Sequence, residues 1–479
     1  MSGRGGGGTS PDIPSFDFLT AGSIEFGQGK LASVRSPSPP RSESHAGAAA
    51  ACSGSRSPGA AALRPQVPDL LEQFGVSKVP YLQLTLRPPP ATQQTPTHPT
   101  PPPDSELGGA VARQVLVVND GRPGADTALT DLLDAASIGY VSTSVLKEPS
   151  TESVEEGVSL ARDEGCDGVV SIGGGSVIDS GKAIAAIATN GGRPIDYMEV
   201  IGDGKAMTLP ALPYIAIPTT SGTGAEASKN AVVASMEHQV KVSLRSEFML
   251  PRVALVDPEL TVGCPPAITA TCGMDALCHC LESYCTHLNT PLTDGLAREG
   301  MLRAAKSLYR TYTHGDDVAA RTDMAITSLF GGISLANAKL GSVHGFAGPL
   351  GGMFDAPHGA VVAACMPAAI AINVAALRER EPTHDSLSRY TQVAVMLTGD
   401  GNAKAEDAAT WLADMNAKME IPGLAHWGVK ESDALPSSEL VDKSQISSSM
   451  QGNPIQLSDE EAGQLVSRSL RPASETTSL

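Results

Sequence analysis

Aromatic residues make up only 4% of the 479 residues, so any core must be built from aliphatic side chains. Basic residues are also scarce: 34 Lys and Arg stand against 52 Asp and Glu, a net charge of −18. That balance argues against nucleic acid or an anionic membrane as the main partner, since both reward positive surfaces. No apolar run approaches the ~20 residues of a spanning helix, so no membrane segment is expected. The N-terminal stretch MSGRGGGGTSPDIP has no apolar centre and little Arg, which leaves neither a secretory signal nor a transit peptide visible. The eight Cys follow no framework spacing, which fits free thiols in a reducing compartment. A cytoplasmic location is expected, with a mitochondrial one left open.

What is present is length and patterning. A chain of 479 residues exceeds the size at which one core usually stops growing, so two domains are the default. Residues 1–14 read as a disordered tail, and Phe16–Gly29 as a short strand pair closing in a turn. Residues 33–110 are dominated by Ser, Pro, Gly and Ala and read as an insertion that cannot form a core of its own, apart from a short helix over Val67–Val79. Order resumes at Gln114–Asp120, a buried-type strand. Helix, strand and helix follow over Thr127–Ala136, Gly139–Val145 and Glu152–Glu164. Gly168–Ile172, helix Val177–Thr189, and strands Tyr214–Pro218 and Ala254–Val256 continue the alternation. Such alternation predicts a parallel α/β sheet over residues 15–260, interrupted by the insertion. From 261 to 479 the periodicity is helical, which predicts an all-α second domain.

Three stretches carry chemistry. Gly173–Ser176 joins a buried strand to a helix, where glycines let backbone approach a ligand and free N–H groups attract phosphate. It is neither G-x-G-x-x-G nor a P-loop. Asp179 follows and can buttress the turn. Pro218–Ser228 (PTTSGTGAEAS) places hydroxyls at the C-terminal end of another strand, and Asp120 ends an early strand where an acid can accept from ribose hydroxyls.

The third stretch is Thr271–Tyr284, TCGMDALCHCLESY, read as a helix that could begin near Gly273. Asp275 and His279 are four apart, hence on one face. Alone, such a pair is most often a weak surface contact. His344 and His358, each followed by Gly, complete one carboxylate and three imidazoles, a set suited to Fe(II) or Zn(II) with a position open for substrate. Cys272, Cys278, Cys280 and Cys285 offer a rival thiolate site. Cys278 and Cys280 would point apart on a helix, which disfavours it.

Taken together, VVND, GGGSVIDSGKAIA, IPTTSGTGAEAS, DPELT, GMDALCHCLESY and HGFAGPLGGMFDAPHG resemble the iron-containing (group III) alcohol dehydrogenase family, in order and over most of the chain. The resemblance implies a Rossmann-like N-terminal domain, an α-helical C-terminal domain, and a metal and nicotinamide between them. It implies metal ligands Asp275, His279, His344 and His358. It also implies dinucleotide contacts from Asp120, Gly174, Gly175, Ser176, Thr219, Thr220, Ser221 and Lys241, with NAD as cofactor, a small alcohol or carbonyl compound as substrate, and a homo-oligomer. The chain departs from the family where many members carry a further His: here Gly348. A Pro-Asn-Pro-Thr segment is replaced by Glu148-Pro149-Ser150-Thr151. Two other activities share the fold: a maleylacetate-reductase-like one, and a hydroxyacid–oxoacid transhydrogenase, which would oxidise a hydroxyacid with no free nicotinamide added. A non-catalytic scaffold using the prolines of 33–110 is the reading from another class.

Overall fold

A computed structural model describes residues 20–33, 113–124, 126–199, 201–235, 237–238 and 240–475. The expected tail (1–14), nearly all of the expected insertion and its Val67–Val79 helix lie outside these residues.

Six strands form one parallel sheet: β1 (Ser23–Phe26), β2 (Gln114–Asn119), β3 (Gly139–Ser144), β4 (Gly168–Gly173), β5 (Tyr214–Pro218) and β8 (Val253–Val256), in the order β1-β8-β5-β4-β2-β3. Strands β2 and β4 are buried almost throughout, as their Val-rich runs require for a sheet covered on both faces. The expected pair within Phe16–Gly29 is not formed among the described residues. A single strand, β1, pairs instead with β8, and helix α1 (Lys30–Ser33) follows. The reason lies far along the chain: Asp257, at the end of β8, accepts from the backbone N–H groups of Gly29 and Leu31.

Crossover helices α2 (Thr127–Ala135), α3 (Thr151–Asp163) and α4 (Gly175–Asn190) cover the sheet, and a short α5 (Pro194–Tyr197) follows. Ser150 caps α3 through the N–H of Ser153, 3.2 Å away. An antiparallel hairpin, β6 (Asn230–Ser235) with β7 (Val240–Arg245), was not expected. Strand β6, NAVVAS, carries little contrast, but β7, VKVSLR, alternates apolar and polar residues and held the signal.

The remainder is helical: α6 (Pro266–Cys285), α7 (Pro291–Thr313), α8 (Val318–Asn337), α9 (Ser342–Phe354), α10 (His358–Arg380), α11 (Asp385–Thr398), α12 (Ala405–Lys418), α13 (Glu439–Gln445) and α14 (Asp459–Ser469). Helix α6 begins at Pro266, not near Gly273. Pro is suited to the first helical position, where its missing N–H costs nothing. Gly273 lies inside the helix because a Cβ there would meet Leu308 at 2.2 Å. Helix α10 corrects a second expectation. Among the described residues it is the one helix long and apolar enough to cross a membrane, but most of it is buried, packed on α6, α9, α12 and α14 as a core helix. The sheet region and the helices touch closely at Gly224 (φ 58°), which lies against Gly332 of α8, where a Cβ on either glycine would collide with the other's backbone.

Candidate metal and cofactor site

Helix α6 carries Asp275 and His279 one turn apart, both buried. His344 sits in the first turn of α9, and His358 opens α10. Asp355 between them takes a left-handed conformation (φ 50°) that turns the chain sharply, followed by Ala356 and Pro357. These three elements bring the four side chains together. Nε2 of His279, His344 and His358 lie 3.7, 3.3 and 3.6 Å from Asp275 Oδ1. One ligand atom from each of the four falls within 4.8 Å of the others. Two donors each ~2.1 Å from one ion, in tetrahedral arrangement, stand about 3.4 Å apart. The donor set therefore has the chemistry and the spacing of a divalent-metal site.

Burial opposes ionisation of Asp275, but the facing imidazoles outweigh it and hold its carboxyl well below the usual range. Burial pushes His279 down to about 4 and lowers His358 as well, which favours neutral, ligating imidazoles. His344 differs. Burial again opposes its charge, but two carboxylates, Asp275 and Glu282, raise it to about 9. A metal must displace that proton to bind. Cys278 Sγ lies 3.8 Å from His344 Nδ1, but burial pushes the thiol well above its ordinary value, so a thiolate ligand is disfavoured.

Glu282, to which the motifs above assign no role, also joins this group: its Oε2 lies 2.7 Å from His344 Nδ1. Its signal was available: 275, 279 and 282 follow the i, i+4, i+7 stripe of one helix face.

Of the expected cofactor contacts, Asp120, Gly174–Ser176 and Thr219–Ser221 lie at the C-terminal edge of the sheet. Chain order reverses between β2 and its neighbours: β3 lies on one side and β4 on the other. Open α/β sheets bind ligands at such a switch point. Asp120 follows β2 and Gly174–Ser176 follow β4, and the register Asn119↔Ile172 puts the two loops side by side. Helix α4 starts at Gly175, two residues before expectation, with Gly174 as its cap. Gly174, Gly175 and Ser176 remain half-buried among buried neighbours. Thr223 closes on Gly175, where a Cβ would meet its Cγ2 at 2.5 Å. Thr219 Oγ1 and Ser221 Oγ are buried with no hydrogen-bond partner, the condition of groups awaiting a ligand's polar atoms. Thr220 faces Gly174.

The other expected contacts are differently engaged. The Asp120 carboxylate accepts from Arg122 Nε at 2.8 Å. Asp179 pairs with the buried Lys182 Nζ at 3.0 Å and accepts from Val232 N at 2.9 Å, so it ties α4 to β6 and supports the loop from behind. Lys241, on β7, pairs with Glu148 Oε2 at 2.6 Å and lies against Gly351 of α9. Glu148 and Lys241 both act electrostatically on His358, which brings the departure at 148–151 to the metal residues. Gly348 faces only the Lys241 carbonyl, at 3.7 Å from where a Cβ would stand.

Residues 105–258 match the family described as iron-containing alcohol dehydrogenase, and residues 269–470 match its C-terminal family. The chain belongs to the iron-containing alcohol dehydrogenase family. Within that family it is 38% identical to the NAD-dependent methanol dehydrogenase of Bacillus methanolicus, over 60% of this chain and 73% of that protein. It is 33% identical to the 1,3-propanediol dehydrogenase of Citrobacter freundii, over 74% and 91%. Among solved structures, a 1,3-propanediol oxidoreductase superposes with a TM-score of 0.72 at 25% identity, covering 95% of this chain and all of that one. An iron-containing alcohol dehydrogenase from Thermococcus thioreducens gives 0.67 at 26%, over 75% and 93%. Membership fixes the reaction class as metal-dependent alcohol oxidoreduction and makes the α/β-plus-helical architecture that of the family.

Proposed function

We infer that this chain interconverts a small alcohol and its carbonyl compound, using NAD(H) and a divalent metal, iron by family, held by Asp275, His279, His344 and His358. The observation that carries the reading is the convergence of three imidazole Nε2 atoms on Asp275 Oδ1. When bound, the ion supplies Lewis acidity toward the substrate oxygen and the nicotinamide supplies the hydride chemistry. The chain's residues hold and orient. Backbone N–H groups at the start of α4, with Gly174–Ser176, suit a pyrophosphate. Asp120 suits ribose hydroxyls, and Thr219 and Ser221 offer unspent hydroxyls. Thr220 and Lys241 complete the proposed contacts, with Asp179 as support. No side chain exists at 348 to move a proton, so that task falls to water or cofactor hydroxyls.

Self-association and a reducing, cytoplasmic setting complete the proposal; the seven described cysteines are all free thiols, which supports the setting. The test is metal analysis of purified protein together with turnover of an alcohol panel, hydroxyacids included. NAD-linked turnover abolished by chelation and by His358→Ala is expected. Turnover insensitive to chelation would overturn the reading.

A further inference from the structure

We propose that Glu282 is the positioning residue of the metal centre, fixing His344 so that Nε2 alone is offered to the ion. The inference rests on the donor set argued above and deepens it.

Glu282 is buried on the same stripe of α6 as Asp275 and His279. Its Oε1 accepts from the backbone N–H of Val343 at 2.8 Å, and its Oε2 from that of His344 at 3.4 Å. These N–H groups belong to the first turn of α9, which has no partner for them within the helix. The same Oε2 stands 2.7 Å from His344 Nδ1. Both Glu282 oxygens already accept from backbone N–H groups, which makes Oε2 the acceptor toward the ring and Nδ1 the donor. The opposite nitrogen, Nε2, faces Asp275 Oδ1 at 3.3 Å and is the one left to offer a lone pair once an ion displaces its proton. Gly341 makes the approach possible, since a Cβ there would come within 2.8 Å of Oε1. Among the described residues no Lys or Arg pairs with Glu282. One carboxylate thus sets where α9 begins, which way the His344 ring faces, and which of its nitrogens is basic. It also occupies the nitrogen nearest Cys278, which keeps the rival donor set Cys278–Glu282–His344 from forming.

A plain helix cap would account for the backbone bonds but not for the imidazole. Glu282→Gln separates the two roles. Its single amide oxygen can still cap α9, but its NH2 group then faces Nδ1 and favours the wrong tautomer. Expected is zinc affinity weaker by ~10–100-fold in a chelator-competition titration, the range for such supporting carboxylates. The cobalt(II)-loaded spectrum should change, and the melting temperature of the metal-free protein should stay near wild type. Wild-type affinity and an unchanged cobalt spectrum in Glu282→Gln would overturn the proposal and leave Glu282 a cap only. Should the variant fold poorly, histidine nitrogen NMR of the zinc-loaded wild type decides. Protonated Nδ1 and metal-bound Nε2 on His344 are expected, and metal on Nδ1 overturns the inference. A wild type that takes up no metal would instead remove the donor-set reading itself.

Discussion

Asp275 meets three imidazoles through a single oxygen. Asp275→Asn keeps the volume and removes the charge that holds a cation there. Metal content should fall well below one ion per chain, and turnover by at least the ~100-fold seen when mere supporting groups are lost. Elemental analysis beside an NAD-linked assay checks it, and a fully metallated Asn variant would refute it. A second buried acid makes a prediction about pH. Burial raises Glu226 to about 7 despite the nearby Lys182. Its folded value thus lies above its unfolded value near 4.5, and ionisation is harder in the folded state. The Glu226 contribution to stability should be most favourable below about 4.5, decline as pH rises, and level off above about 7. Glu226→Gln cannot ionise. Its advantage over wild type should grow across that window, by up to about 3 kcal/mol at ~1.4 kcal/mol per unit. Urea unfolding at pH 5 and pH 8 reads this directly; an advantage that does not grow between them would contradict it.

Elements carry the next level of specificity. The glycine loop works because Thr223 already lies where a side chain on Gly175 would go. Gly175→Ala should push the PTTSGTG segment away at a cost of about 1–3 kcal/mol, as overpacking does. NADH affinity should drop by roughly 5–150-fold with metal content untouched, because the donors stand on α6, α9 and α10. Equal NADH binding by fluorescence titration would show that the close approach is slack. Apart from β1, which was expected in a local strand pair, the sheet strands and their main crossover helices were legible in the sequence to within a few residues, because Val-rich runs between helical periods leave few alternatives. The start of α6 was not. Gly273 looked like a boundary, and only its contact with Leu308 shows why a helix interior needs it. The β6–β7 hairpin was also missed: β6 alternates small residues without contrast, although the strict apolar–polar alternation of β7 was a usable signal. The four candidate metal ligands were readable as a set, and the structure brings them together; Glu282 was not, since its partners are backbone N–H groups 61 and 62 residues away. Asp179 was readable as a buttress of the turn, and it braces the loop through Lys182 and Val232, partners that its sequence neighbourhood alone does not name.

At the scale of the whole molecule, the two halves of the reaction sit on separate parts of the chain and must be held in register. Gly224 against Gly332 is one such joint, and Lys241 against Gly351 another. Gly224→Ala is strained twice, by its positive φ and by contact with the Ser328 carbonyl at 2.5 Å, and should lower the unfolding midpoint measurably. Residues 37–111, in contrast, fall outside the unit formed by the rest of the chain. On either side of them, Leu31 packs in one cluster with Val115, Ile217 and Leu255, which anchors the flanking chain. Replacing 37–111 by a linker of about eight Gly and Ser residues shortens the loop roughly tenfold. At ~0.6 kcal/mol per doubling, loop closure should then favour the folded state by about 2 kcal/mol. The shortened protein should keep one metal per chain and its alcohol turnover, and should melt no lower than the full chain. Loss of metal or of turnover would mean that the segment contributes to the site, and a lower melting temperature alone would mean that it braces the fold.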